Sequence, residues 1–198
     1  MFGMLFKQKS TAQKRYAQIA ESLYSCALEN TRKEVFYTKY GVPDSFDGRF
    51  DLLLLHVFLI LHRLMPHAEY EVVSQALFDV MFKDMDQTLR EIGIGDVGIP
   101  KHMKRMMKAF NGRMHNYQMA IAPETLDGQE LEGLQTTSLE EALARNLYAL
   151  QDGEDKAHKE FIDKMCSFVR QNTVSNDNNA EVEKLLEGRA VFVGPTAE

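Results

Sequence analysis

Six histidines, two cysteines and several groups of carboxylates are the side chains in this chain that could hold a metal, ligate a haem or attack a substrate. His56 and His62 lie on one apolar segment but six positions apart, so on a helix they do not share a face. One histidine can suffice as an axial haem ligand. Without a Cys-x-x-Cys-His attachment, a hydrogen-bonded core histidine is the better reading of His56. Asp79, Asp84 and Asp86 invite a metal, yet Asp79–Lys83 and Asp86–Arg90 are acid-before-base pairs at four-residue spacing, which neutralises two of the three. No Glu-x-x-His pair occurs, and Asp155-x-x-His158 has no second half. Gly93-x-Gly95-x-x-Gly98 matches the dinucleotide fingerprint in letters only. That fingerprint follows a strand, whereas Leu89–Ile92 continues a helical pattern and Asp96 would repel a pyrophosphate. A helix cap at Gly93 fits better. Cys26 and Cys166 have no metal or redox spacing, and no Gly-x-Ser-x-Gly elbow exists. The sequence therefore predicts no catalytic residue, no cofactor and no metal site, with a small metal- or haem-dependent enzyme as the rival.

The elements that carry these residues are helical nearly throughout. The pattern predicts helices over Ser10–Leu28, Phe50–Leu64, Glu69–Ile92, Pro100–Ile121, a segment from Thr137 or Ser138 to Leu150, Asp152–Arg170 and Ala180–Glu187. Phe36–Gly48, Asp127–Thr136 and Asn172–Asn179 read as connectors, and Arg189–Val193 as a short extended piece. Within Glu69–Ile92, Phe78, Phe82, Met85, Leu89 and Ile92 follow three-four spacing, and Val73, Leu77, Val80 and Met81 widen the face. The expected fold is all-α, one compact domain of six to seven helices around a central buried apolar helix. Residues 1–9 form a tail, 10–150 the main helical domain and 151–198 a helical extension packed on it.

The composition allows this. A chain of 198 residues with 44% hydrophobic residues builds a core without disulfides or metals. A net charge of -6 argues against generic nucleic-acid binding. Leu52–Leu61 is the one membrane-like run. From Phe50 to Met65 a helix rises about 24 Å against a bilayer core of about 30 Å. Asp51, His56, His62 and Arg63 interrupt it, so a buried core helix is expected. Met1–Lys7 is too short for a secretory core. The expected location is cytoplasmic, with the inner face of the membrane as a place of action.

Lys101, His102, Lys104, Arg105 and Lys108 depart most from the acidic average. Lys101, Lys104, Arg105 and Lys108 share a helix face, with Arg113 further on. Cations in a first helical turn oppose the macrodipole at a few tenths of a kcal/mol each. Two readings stand: a docking face for ribosomal RNA, anionic lipid or an acidic protein, or a solvated face paired with acids elsewhere. Met103, Met106, Met107, Phe110, Met114 and Tyr117 occupy the apolar side.

Three strings carry a resemblance. They are Tyr40-Gly41-Val42-Pro43-Asp44-Ser45-Phe46-Asp47-Gly48-Arg49-Phe50, then Gln75 through Asp86, then Gly98-Ile99-Pro100-Lys101 running on to Phe110-Asn111-Gly112-Arg113. In this order they resemble the ubiquinol–cytochrome c chaperone family over about Thr11 to Leu150, while residues beyond 151 add little. The resemblance implies a helical, non-catalytic assembly factor for the cytochrome bc1 complex. Its mitochondrial members bind newly made cytochrome b near the ribosomal exit tunnel with a small partner protein, and hold it during haem insertion. The start of this chain, without their targeting extension, fits a bacterial-type member. A client made of membrane helices calls for an apolar groove and flanking charge. Met103, Met106, Met107 and Phe110 are candidates for the groove, and Lys101, Lys104, Arg105, Lys108 and Arg113 for the charge. Asp44 capping or pairing Arg49 would make the loop a rigid shelf. Cytochrome b is the expected partner, with a ribosome or anionic membrane surface beside it, and neither sequence-specific nucleic acid nor a small-molecule substrate. An adaptor on membrane or ribosome without a dedicated client is the second rival.

Overall fold

Periodicity of three to four residues runs through most of the chain, and the structure, a computed structural model, is all-helical. It describes residues 2–122, 137–150, 155–173 and 179–194. Among these are eight helices and no strand: α1 (Phe2–Thr31), α2 (Val35–Thr38), α3 (Phe46–Leu64), α4 (Tyr70–Glu91), α5 (Ile99–Ile121), α6 (Leu139–Asn146), α7 (Asp155–Thr173) and α8 (Asn179–Leu186). The expected connector Asp127–Thr136 and most of Asn172–Asn179 lie outside the described residues.

The centre is α3, as its uninterrupted apolar run requires. Ser45 caps it by accepting a hydrogen bond from the Gly48 amide at 3.0 Å, and every residue from Phe50 to Leu61 is buried. It packs against α1, α4, α5, α7 and α8. Its two sides feed two cores. Leu53, Leu54, Val57, Ile60, Leu61 and Leu64 join α1, α4 and α5, whereas Leu52, Leu55, Phe58 and Leu59 join α2, α6 and α7. Each fully buried Leu or Phe contributes about 1.5–3 kcal/mol, so the helix is committed to the interior. No helix among the described residues is long and apolar enough to cross a membrane.

His56 is a core histidine. It is fully buried, with Nδ1 at 2.9 Å from the Leu52 carbonyl and 3.3 Å from the Thr31 hydroxyl. The rings of Phe36, Phe168 and Phe192 meet it edge-on. Burial pushes its imidazolium down to about 4, so the ring is neutral at neutral pH and donates from Nδ1 to Leu52.

Several boundaries differ from those expected. α1 begins at Phe2, so Ser10 lies inside a helix rather than at its start. The connector after it contains the four-residue α2, whose Phe36 is fully buried and anchors the turn. The sequence before α6 allows a capping box at Thr137 with Glu140 or at Ser138 with Glu141, and the second is made, with reciprocal bonds of 3.1 and 3.0 Å. That helix stops at Asn146, not Leu150. Gly93 closes α4 at φ +89°, its amide bonded to Arg90 and the Ile94 amide to Leu89, which is a Schellman cap and not a phosphate loop.

The segment after α8 has no regular structure but is tightly held. The Arg63 guanidinium, buried in α3, donates to the Val191 carbonyl at 2.8 Å and to Glu181 at 2.9 Å. It also lies over the Phe192 ring. The Asn172 amide both donates to and accepts from the Val193 backbone. Phe192 packs against both cores.

Candidate functional site

The three strings quoted above are far apart in sequence, and helix packing brings the first two together in one cleft. The end of α1, the α2 turn, the start of α3 and the last turns of α4 enclose a cleft of about 510 Å³. Its floor is apolar, from Leu28, Phe50, Leu53 and Met85. Its rim is charged, from Arg32, Glu34, Asp44, Arg49 and Asp84. Phe46 stands on the rim at 40% exposure.

Local sequence explains how the rim is built. Gly48 sits where an added Cβ would lie 2.1 Å from the Pro43 carbonyl oxygen, so only glycine lets the loop fold back on the start of α3. That fold places the Asp44 carboxylate 2.6 Å from Arg49, whose guanidinium also lies over the Tyr37 ring. The hydrogen bond from Arg49 holds the Asp44 carboxyl below the usual carboxylate range. Both side chains are well exposed, so this pair orients the loop more than it stabilises the fold. On the far wall the Tyr24 hydroxyl donates to Asp84 at 2.7 Å, and burial followed by that bond raises the Tyr24 phenol. Asp84 is thereby held as an acceptor and lies apart from the Asp86–Arg90 pair at 2.8 Å. The expected Asp79–Lys83 pair does not form; Asp79 takes an amide hydrogen bond from Gln75 instead. No group of three or more His, Cys, Asp or Glu that could hold a metal occurs among the described residues.

The third string borders this site through one contact: Arg105 of α5 lies 3.9 Å from Asp47 of α3. Lys101, Lys104 and Lys108 are exposed along the same face. Arg113 does not join them. Its guanidinium turns inward to the buried Asp51 at 2.7 Å and donates to the Asn146 carbonyl, so it ties α5 to α3 and α6. The apolar side of α5 is also largely used internally. Met106 and Phe110 are buried, Met103 is half-buried against the first core, and Met107, at the border between the apolar and cationic arcs, is exposed. Phe110 packs against Phe78 and Phe82 and borders a second cleft of about 350 Å³ among α3, α4 and α5, where Met65 and Met114 also lie.

On the floor of the first cleft Phe50, Leu53 and Met85 are likewise buried, and the exposed apolar side chains of this region are Phe46 on the rim and Met107 beside the cations. Tyr37, Met85 and the Tyr24–Asp84 pair were not foreseen as site residues, although Phe46, Asp84 and Met85 sit inside the quoted strings.

The profile of the ubiquinol-cytochrome C chaperone family matches residues 38–192. The match takes in α7 and α8, so the relationship extends past Leu150, where the resemblance read from the sequence ended. The chain is 22% identical over 171 residues to ubiquinol-cytochrome-c reductase complex assembly factor 1 of Xenopus laevis, covering 86% of this chain and 78% of that protein. It is 26% identical over 100 residues to the Mus musculus assembly factor, spanning about a third (34%) of that protein's length. Among solved structures, that of the Cbp3 homolog from Brucella abortus superposes with a TM-score of 0.67 at 30% identity, over 98% of this chain and 97% of that one. With profile, relatives and fold in agreement, this chain belongs to the ubiquinol-cytochrome C chaperone family.

Proposed function

We propose that this chain is a non-catalytic assembly chaperone that binds newly made cytochrome b and promotes assembly of the cytochrome bc1 complex, acting in the cytoplasm at the inner face of the membrane. The observation that carries this is that two of the strings, Tyr40–Phe50 and Gln75–Asp86, meet in a single cleft with an apolar floor and a charged rim, while the third lies beside it through the Arg105–Asp47 contact. A membrane-helix client offers apolar side chains flanked by polar ends, and an amphipathic helix laid in a groove is recognised in this way. Leu28, Phe50, Leu53 and Met85 receive the apolar face, and Arg32, Arg49 and Asp84 engage polar groups beside it. Met85 adapts to varied side chains because its thioether chain is unbranched.

Cross-linked affinity purification of the tagged chain from respiring cells tests this. Cytochrome b is expected as the dominant partner, with cross-links on α2, the start of α3 and the end of α4. Phe46→Asp, at an exposed position on the rim, is expected to reduce its recovery at least tenfold. A dominant partner unrelated to the bc1 complex would overturn the proposal.

A further inference from the structure

The exposed face of α5 is not explained by a client cleft that lies beside it. Lys101, Lys104 and Lys108 are exposed, and no ion pair is formed by any of them among the described residues; Arg105 has only the 3.9 Å contact with Asp47. Acids close in sequence are engaged elsewhere: Asp96 and Asp86 by Arg90, and Glu91 by the Gln87 amide. A chain of net charge -6 thus presents four cations within eight residues on one face. The apolar side chains next to them are open as well. Val97, on the loop just ahead of α5, is 97% exposed, and Met107 borders the cations at 42%.

We propose that this face of α5, with Val97 at its leading edge, docks on a membrane surface carrying anionic phospholipids. Each Lys or Arg near such a surface strengthens binding about fivefold. Aliphatic side chains at the rim gain by entering the headgroup boundary, which nucleic acid does not offer. Single-stranded RNA is favoured by large aromatic platforms between the cations, and no Phe, Tyr or Trp lies between Lys101 and Lys108, where half-buried His102 is the one ring. This deepens the reading given above and rests on it only in that a membrane-borne client brings the chaperone to the bilayer. It concerns a different surface from the cleft.

The test is cosedimentation of the purified full chain with phosphatidylcholine vesicles, with and without phosphatidylglycerol, in the absence of any client. Binding is expected only to the anionic vesicles and should fall with added salt. The triple variant K101E/K104E/K108E should lose it by more than 100-fold, and Val97→Asp by about tenfold. K33E/K39E/K83E changes the net charge equally at exposed positions elsewhere and should bind nearly as wild type does. Circular dichroism on each variant separates loss of binding from loss of fold. No binding to anionic vesicles, equal loss in the control triple, or binding to polyuridylate with none to vesicles would each overturn the proposal. Because the assay contains no cytochrome b, it can fail while the client reading stands, and the reverse.

Discussion

Two sets of cations behave in opposite ways in this protein. Arg113 and Arg63 turn inward, Arg113 to the buried Asp51 and Arg63 to Glu181 and the Val191 carbonyl. Lys101, Lys104 and Lys108 lie on the same helix as Arg113 and point to solvent. The difference follows from chemistry as well as position. A guanidinium offers a planar array of donors that a buried carboxylate or carbonyl can satisfy, whereas an ammonium is strongly hydrated and stays in water unless a partner displaces it. The inward set fixes how α3, α5 and the end of the chain sit together, and the outward set leaves charge available.

The largest effect expected from breaking this contrast is at the inward set. Arg113→Ala leaves a buried unpaired carboxylate and should destabilise the fold by about 3–5 kcal/mol at neutral pH. Urea denaturation checks it. The double variant Arg113→Met/Asp51→Leu should recover most of the loss, since an apolar pair of similar volume leaves no charge buried.

The second prediction separates two buried groups of opposite sign. Burial pushes the Asp51 carboxyl up to about 6 despite the pull of Arg113. Its contribution to stability is therefore present below the ordinary carboxylate range and is lost as pH rises through about 6. His56 runs the other way. Its folded value of about 4 lies below that of the unfolded chain, so its contribution is present above about 6.5 and is lost as pH falls through about 4. The two oppose each other between these limits. Asp51→Asn removes one, and its urea midpoint should fall more steeply than the wild type's as pH drops from about 6.5 to 4. Parallel profiles would show that Asp51 titrates normally.

Smaller effects sharpen the outward side. Gly112→Ala, in the exposed interior of α5 with nothing within 4 Å of the added Cβ, should stabilise the fold by about 0.5–1 kcal/mol. Lys101→Glu should shift stability by only a few tenths of a kcal/mol, in the favourable direction, because it places an acid in the first turn. Thermal denaturation of each reads both. A loss above about 1 kcal/mol at Lys101 would mean that this lysine is structural after all.

Much of the architecture was legible because it depends on local pattern. Helix periodicity marked α3, α4 and α5 within a few residues, and the apolar run of α3 predicted its central place. Gly93 as a cap and His56 as a core residue followed from elementary chemistry. The site was less legible. Asp51 and Arg113 are 62 positions apart and Tyr24 and Asp84 are 60 apart, and no local rule pairs them. Arg113 looked like one more member of a basic face because its partner belongs to another helix. Phe110 and Met106 are likewise indistinguishable in sequence from an open groove, since an apolar helix face looks the same whether a core or a client covers it. The start of α1 was misplaced because a serine, a common helix-starting residue, is also tolerated inside a continuous helix, as Ser10 is.

The order in which the chain is made gives the seating of Phe192 a further meaning. This ring packs against both cores, beside Arg63 and His56 on α3, and comes after every helix described. During translation this ring can join the two cores only after residue 192 has cleared the ribosome, so a product ending before it leaves His56 and Arg63 without their contacts to Phe192. A product ending before residue 189 should therefore be more sensitive to protease than the 198-residue chain.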